Sequence, residues 1–167
     1  DHCVTGVQTC ALPICALGVE VEVLTPLYGF IDRAPLVPAG EQHLHLAQHS
    51  FHVRLWKHPT AQVTFADVPG LLDRPVPYGE YADNPLRFGV FSRIAATYAA
   101  ATPTQLVHLH DWQAALTALY LRPVFPRRFM VQTIHNLAFQ GLCGAHWADM
   151  LEVPHIARDY HGLEFHG

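Results

Sequence analysis

The sequence predicts an α/β fold: an open, mostly parallel sheet with flanking helices and an antiparallel strand excursion. Three observations carry this. Leu106–Gly141 reads strand, helix, strand, loop, and a unit of that size is a right-handed crossover joining parallel strands. Upstream, Glu41–Lys57 holds two alternating stretches with no helical segment between them, the pattern of antiparallel neighbours. Hydrophobic residues make up 50% of the 167-residue chain and charged residues only 14%, a globular composition with enough apolar side chains for one sizeable core.

The first fifteen residues stand apart. They hold Cys3, Cys10 and Cys15 of the four cysteines, without the CxxC spacing of a redox or metal pair. Val4–Ile14, VTGVQTCALPI, resembles one reading frame of a sequencing-library adapter. Residues 1–15 are therefore expected to be a non-native segment, and residues 16–167 the domain. No basic region precedes an apolar stretch of signal-peptide length. Cys143 is then the one remaining thiol, which suits a reducing, cytoplasmic setting.

Val19–Leu24 alternates valine with glutamate or leucine and reads as a strand. Residues 31–40 contain Pro35, Pro38 and Gly40 and read as a loop. His43–Leu46 and Phe51–Leu55 form the antiparallel excursion, and Gln62–Val68 a further strand. Asp73–Asn84 is loop, because Pro75, Pro77, Gly79 and Pro85 oppose regular structure. Asn84 is placed to cap a helix with Pro85 at its first position. That helix runs to about Ala100, with Phe88, Phe91, Ile94, Ala95 and Tyr98 toward the core.

Leu106–His110 is the next strand. Trp112–Leu121 has no Gly or Pro and is rich in Ala and Leu, so it reads as a helix. Pro123 and Pro126 end it. Phe129–Ile134 suits a strand. Both strands of this unit end on one edge of the sheet, delivering His110 and Asp111 from the first and His135 and Asn136 from the second. In open α/β sheets ligands bind at that carboxyl edge. His146–Leu151 is expected as a short helix, broken by Pro154.

The same stretch carries a family resemblance. HLHDWQAALTALYLR followed by VQTIHNLAFQG strongly resembles the bacterial glycogen and plant starch synthases, glycosyltransferase family 5, with their H-x-HDW-x-A and T-x-HN-x-x-x-QG patterns. LLDRP at 71–75, YADNPLRF at 81–88 and HGLEFHG at 161–167 follow that family in the same order. The resemblance runs from about Ala16 to Gly167. It implies a Rossmann-like partial N-terminal domain of a GT-B glycosyltransferase. It also implies transfer of glucose from ADP-glucose (or, as a lesser option, UDP-glucose) to the non-reducing end of an α-1,4-glucan, with retention. The α-glucan acceptor would be held mainly by this domain, and the ADP-glucose donor mainly by a C-terminal domain. The family's first strand and its Lys-x-Gly-Gly loop would lie upstream. A chain lacking the facing domain is expected to be inactive alone, because closure of two domains assembles such a site.

Under the resemblance Asp111 lines the sugar-transfer cleft on the acceptor side, and His135 lies close to the transferring glucose. An oxocarbenium-like transition state gains from fixed dipoles placed where charge develops. Asp111 has an alternative that needs no substrate: capping the helix that follows it. Asn136 is placed to bond a sugar hydroxyl, and His110 to line the same rim. Gly141 allows a tight bend in the Q-G turn. Phe139 stands where the family more often has tyrosine, keeping the ring without the hydroxyl. Tyr78 either stacks on a sugar or seals its loop onto the domain.

His108, His110, Asp111 and His135 also permit a metal-dependent hydrolase reading, since alternate strand residues share a face and His and Asp are metal ligands. No HExxH or similar dense motif supports it, and no cofactor or metal is expected. A non-catalytic carbohydrate- or nucleotide-binding module, or another GT-B transferase of sucrose type, are further alternatives. A net charge of −4 with only 10 Lys and Arg argues against a nucleic-acid partner. No apolar run approaches the roughly 20 residues that span a bilayer, so no membrane partner is expected.

Overall fold

The computed structural model describes residues 14–164. The expectations for residues 1–13 and for the last three residues of HGLEFHG lie outside them. The chain divides into two compact units, one of residues up to His43 plus Phe51–Gly79, the other of Leu44–Ser50 plus Glu80 onward.

In the first unit β1 (Val23–Pro26) runs parallel to β4 (Val63–Asp67), with Val23 opposite Val63 and Pro26 opposite Ala66. β1 thus starts later than the alternation of Val19–Leu24 suggested. Strand character begins only where the partner begins, and Val19 is exposed. β2 (Val37–Leu46) and β3 (His49–Lys57) complete a sheet of order β1-β4-β3-β2, which is the expected antiparallel excursion. β2 corrects the loop expected over 31–40: Pro38 and Gly40 lie within the strand. An edge strand accepts them, because a missing N–H there faces no partner.

All five residues of β4 are buried. Val63 and Phe65 pack with Val23, Leu27 and Leu36. The polar members of the strand are matched. Thr64 donates its hydroxyl to Glu22 at 2.7 Å, and the carboxylate of Asp67 pairs with Arg33 at 3.1 Å and Arg54 at 2.7 Å.

The second unit is built on α1 (Asn84–Ala101), β5 (Leu106–His110), α2 (Asp111–Leu121) and β6 (Phe129–Thr133). β5 and β6 are parallel, Leu106 opposite Phe129 and His110 opposite Thr133, as the crossover reading required. Among the described residues they form a separate two-stranded sheet. α3 (Trp147–Met150) and a 3-10 turn (His155–Ala157) follow.

Asp83, not Asn84, occupies the N-cap of α1; the Asn84 side chain instead accepts a hydrogen bond from Arg87 at 2.7 Å. α1 is buried on more than one stripe. Ala96 and Ala99 are buried where Ala95 and Tyr98 were expected, because α2 covers a broad face. Ser92 donates to Gln113 O at 3.2 Å and Thr117 to Ser92 O at 3.2 Å, so the polar groups between the two helices satisfy each other. Tyr120 donates to Leu151 O under the Arg93 guanidinium. Burial pushes its hydroxyl up to about 12.

Candidate active site

The carboxyl ends of β5 and β6 place their terminal residues side by side. His108 and His110 are two residues apart on β5 and share one face. Their rings stack at 4.3 Å. His135, just past β6, stacks on His110 at 5.3 Å with 15° between planes. The three imidazoles form a row anchored by hydrogen bonds: His108 Nε2 with Thr133 Oγ1 at 2.7 Å, and His110 Nδ1 with His135 Nε2 at 3.0 Å. One nitrogen of that last pair must donate and the other accept, so the row cannot carry a full charge on both rings. Burial first, then the neighbouring His108 and His135, hold His110 below its ordinary pKa of 6.5, while Asp111 pulls upward.

Asp111 does not cap its own helix with its side chain; His110 is the N-cap residue and no side-chain bond is made there. Asp111 instead adopts a left-handed backbone, φ 55°. Its carboxylate accepts the backbone N–H of His135 at 2.7 Å, and its carbonyl accepts from the Gln132 side chain at 3.0 Å. Left-handed backbone is costly for most residues and mildest for Asn and Asp. The acidic residue therefore does two jobs: it tolerates the sharp entry into α2 and ties that entry to the end of β6.

The loop after β6 folds on itself. Asn136 Oδ1 accepts from Ala138 N–H at 3.0 Å and Asn136 O from Phe139 N–H at 3.2 Å. This local turn leaves the Asn136 amide NH2 available to an outside acceptor. Gly141 has φ 71°, and a Cβ there would lie 2.3 Å from the Trp112 ring. The bend expected at Gly141 is thus real, and it also permits close approach of the main chain to an indole.

His110, Asp111, His135 and Asn136 are brought together on one rim, with Gly141 closing the loop that carries the last two. Tyr78 belongs to the first unit, with 79% of its surface exposed. Three further residues take part that the sequence motifs do not by themselves mark as site residues: Thr133, Gln132 and Trp112. Thr133 is two residues before His135, Gln132 is the neighbour of Thr133 on the other face of β6, and Trp112 follows Asp111 directly, but their partners lie more than twenty residues away in sequence.

The metal reading finds no support in the donor geometry. Among the described residues no three His, Cys, Asp or Glu side chains are grouped to hold an ion. His110 Nδ1 and His135 Nε2 bond to each other, and the Asp111 carboxylate is turned to the main-chain N–H of His135.

The family model of the starch synthase catalytic domain matches residues 7–167. That span begins inside the segment expected to be non-native. Glycogen synthase of Paracoccus denitrificans is 36% identical over 171 aligned residues, covering 94% of this chain and 37% of that protein. Glycogen synthase of Edwardsiella ictaluri is 37% identical over 164, covering 91% and 34%. That of Erwinia tasmaniensis is 39% identical over 111, covering 60% and 23%. The chain thus spans between 23% and 37% of the length of these relatives. The solved catalytic domain of starch synthase IV from Arabidopsis thaliana, bound to ADP and acarbose, superposes with a TM-score of 0.74 at 22% identity. The match covers 90% of this chain and 33% of that one and shows the same α/β, GT-B-type fold.

Proposed function

The chain belongs to the starch synthase catalytic-domain family, and on that footing we propose that it is part of an enzyme moving glucose from ADP-glucose onto the non-reducing end of an α-1,4-glucan with retention. The observation that carries the proposal is the shared rim of β5 and β6, where the Asp111 carboxylate holds the His135 amide at 2.7 Å.

In this reading His135 faces the transferring glucose. Its ring, bonded to His110 at 3.0 Å, is fixed in place, and a fixed dipole stabilises developing charge without reorganising at the moment of reaction. His110, kept neutral by burial and by its neighbours, avoids placing a cation beside an oxocarbenium-like centre, where it would repel the charge that develops. Asn136 donates to a sugar hydroxyl through its amide. Asp111 acts on the acceptor side through the main chain that it positions. Gly141 holds the loop close to the sugar. Tyr78, in the first unit, presents an exposed ring of the kind that stacks on a glucose unit. The donor nucleotide is gripped mainly by a C-terminal domain. We also assign a cytoplasmic setting, supported by Cys143, the one thiol within residues 16–167, being unbridged.

The test is made in the full-length protein. ADP-glucose and a glucan primer are supplied and chain elongation is measured, with UDP-glucose as the comparison donor. His135→Ala is expected to lower kcat about 100-fold or more while donor affinity changes little, the signature of a contact made in the transition state. Unchanged turnover in His135→Ala would remove that residue from the reaction. Absence of ADP-glucose-dependent elongation in the unaltered enzyme would defeat the proposal.

A further inference from the structure

The loop from His135 to Gly141 has no core of its own. Residues 136–140 are all exposed, Leu137 and Phe139 at 68% and 67%. Yet both ends are fastened, and to consecutive residues. At one end the Asp111 carboxylate holds the His135 N–H at 2.7 Å. At the other Gly141 lies against the Trp112 indole, so close that a Cβ added to it would stand 2.3 Å from Cε3 and 2.5 Å from Cδ2. Trp112 is itself braced, its ring edge-to-face with Phe88 at 4.9 Å and 80°. Phe88 is buried in α1. A contiguous chain of packed groups therefore runs from the α1–α2 core through an indole to a solvent-exposed loop.

We propose that Trp112 is a positioning residue for the transfer reaction: its indole is the plate that sets the height of the 135–141 loop, and through it the placement of His135 and Asn136 against the sugar. The inference rests on the glucosyl-transfer reading given above. The physical reason is geometric. The loop's internal bonds, Ala138 and Phe139 to Asn136 and Gln140 to Leu137, fix its shape but not its position. Among the described residues, the hydrogen bond and the ring contact that fasten the loop to the rest of the fold are at its two ends. Asp111 provides a hydrogen bond at one end, which leaves the loop free to swing about it. The contact with Trp112 removes that swing. A flat ring with no Cβ opposing it accepts one spacing, and a smaller or rounder side chain would leave a gap that the loop could move into.

The full-length enzyme is compared with Trp112→Leu, Trp112→Phe and Gly141→Ala. Trp112→Leu is expected to lower kcat by about 10- to 100-fold, the range for a displacement near 1 Å of reacting groups, with KM for ADP-glucose within about twofold. Trp112→Phe keeps a flat face and is expected to recover most of the loss. Gly141→Ala pushes the loop off the ring from the other side and is expected to fall like Trp112→Leu. Amide hydrogen exchange, measured on the same variants, is expected to quicken over 136–141 while α1 and α2 exchange as before. An unchanged kcat per folded enzyme in both Trp112→Leu and Gly141→Ala would overturn the proposal. So would a loss that Trp112→Phe does not recover, or loop exchange equal to that of the unaltered protein. If the unaltered enzyme transfers no glucose, the functional reading fails on its own, and the exchange measurement still decides whether Trp112 fastens the loop.

Discussion

The Asp111 carboxylate accepts the backbone N–H of His135 at 2.7 Å, across 24 residues of sequence. Both residues sit at the ends of parallel neighbours, β5 and β6, so the bond joins the entry of α2 to the exit of β6. It also explains why an acidic residue stands at a left-handed position, φ 55°. The side chain gains a charge-assisted partner that the left-handed backbone alone would not repay.

A substitution series at Asp111 separates these two contributions. Asp111→Asn keeps an acceptor and tolerates the left-handed backbone, and is expected to cost under about 1 kcal/mol. Asp111→Gly relaxes the backbone but loses the bond, at roughly 1–2 kcal/mol. Asp111→Ala loses the bond and keeps the strain, at about 2–3 kcal/mol. Urea unfolding of the three variants gives the order directly. Asp111→Ala matching Asp111→Asn in stability would mean that the bond to His135 contributes nothing.

Acid stability tests the imidazole row. The native pKa of His110 is lowered from 6.5 by burial and by His108 and His135. The unfolded chain therefore takes up a proton near 6.5 while the folded chain still resists it. Its contribution to stability is complete above 6.5 and is lost as pH falls from there through the lowered native value. His110→Gln, which cannot titrate, is expected to flatten that part of the stability–pH curve. A curve of the same slope in His110→Gln would show that the loss arises elsewhere.

Tyr120 is expected to act at the opposite extreme. Burial raises its pKa from 10.0 to about 12, so the unfolded chain ionises first. Stability is complete below 10.0 and falls as pH rises from there to about 12. Tyr120→Phe should remove that alkaline loss. At neutral pH it leaves Leu151 O without its donor, at about 1–2 kcal/mol. Alkaline unfolding curves that coincide for the two proteins would contradict the assignment.

In the first unit, Asp67 is fully buried while its partners Arg33 and Arg54 are 44% and 38% exposed. Breaking a wholly buried pair costs about 3–5 kcal/mol. Here the arginines can turn to water, which puts Asp67→Ala at about 2–3 kcal/mol by the same reasoning. Thermal unfolding that is unaffected by Asp67→Ala would show that both arginines already prefer solvent.

The legible part of the fold was the part written in local pattern. β5 is found over the residues its apolar run marked, Leu106–His110, and α2 over the Ala- and Leu-rich segment, begun one residue early at Asp111. The β2–β3 hairpin followed from alternation. β1 and the start of β2 were misplaced because an edge is set by where the partner strand begins or by what solvent allows, and neither is a property of the segment itself. From local pattern Asp111 reads as a helix cap, as acidic residues at that position often do. Its side chain was instead taken by an amide that the sequence places 24 residues away.

By itself the sequence determined which residues reach the rim: strand length and side-chain alternation bring His110, Asp111, His135 and Asn136 to one edge wherever the strands lie. Only the tertiary structure decided what those residues hold there. Asp111 turned from its own helix to His135, and Gly141 came to rest on Trp112. Face and edge follow from backbone periodicity, which is local. A hydrogen-bond partner or a van der Waals contact is chosen among competitors by distance, and those distances exist only once the crossover has closed.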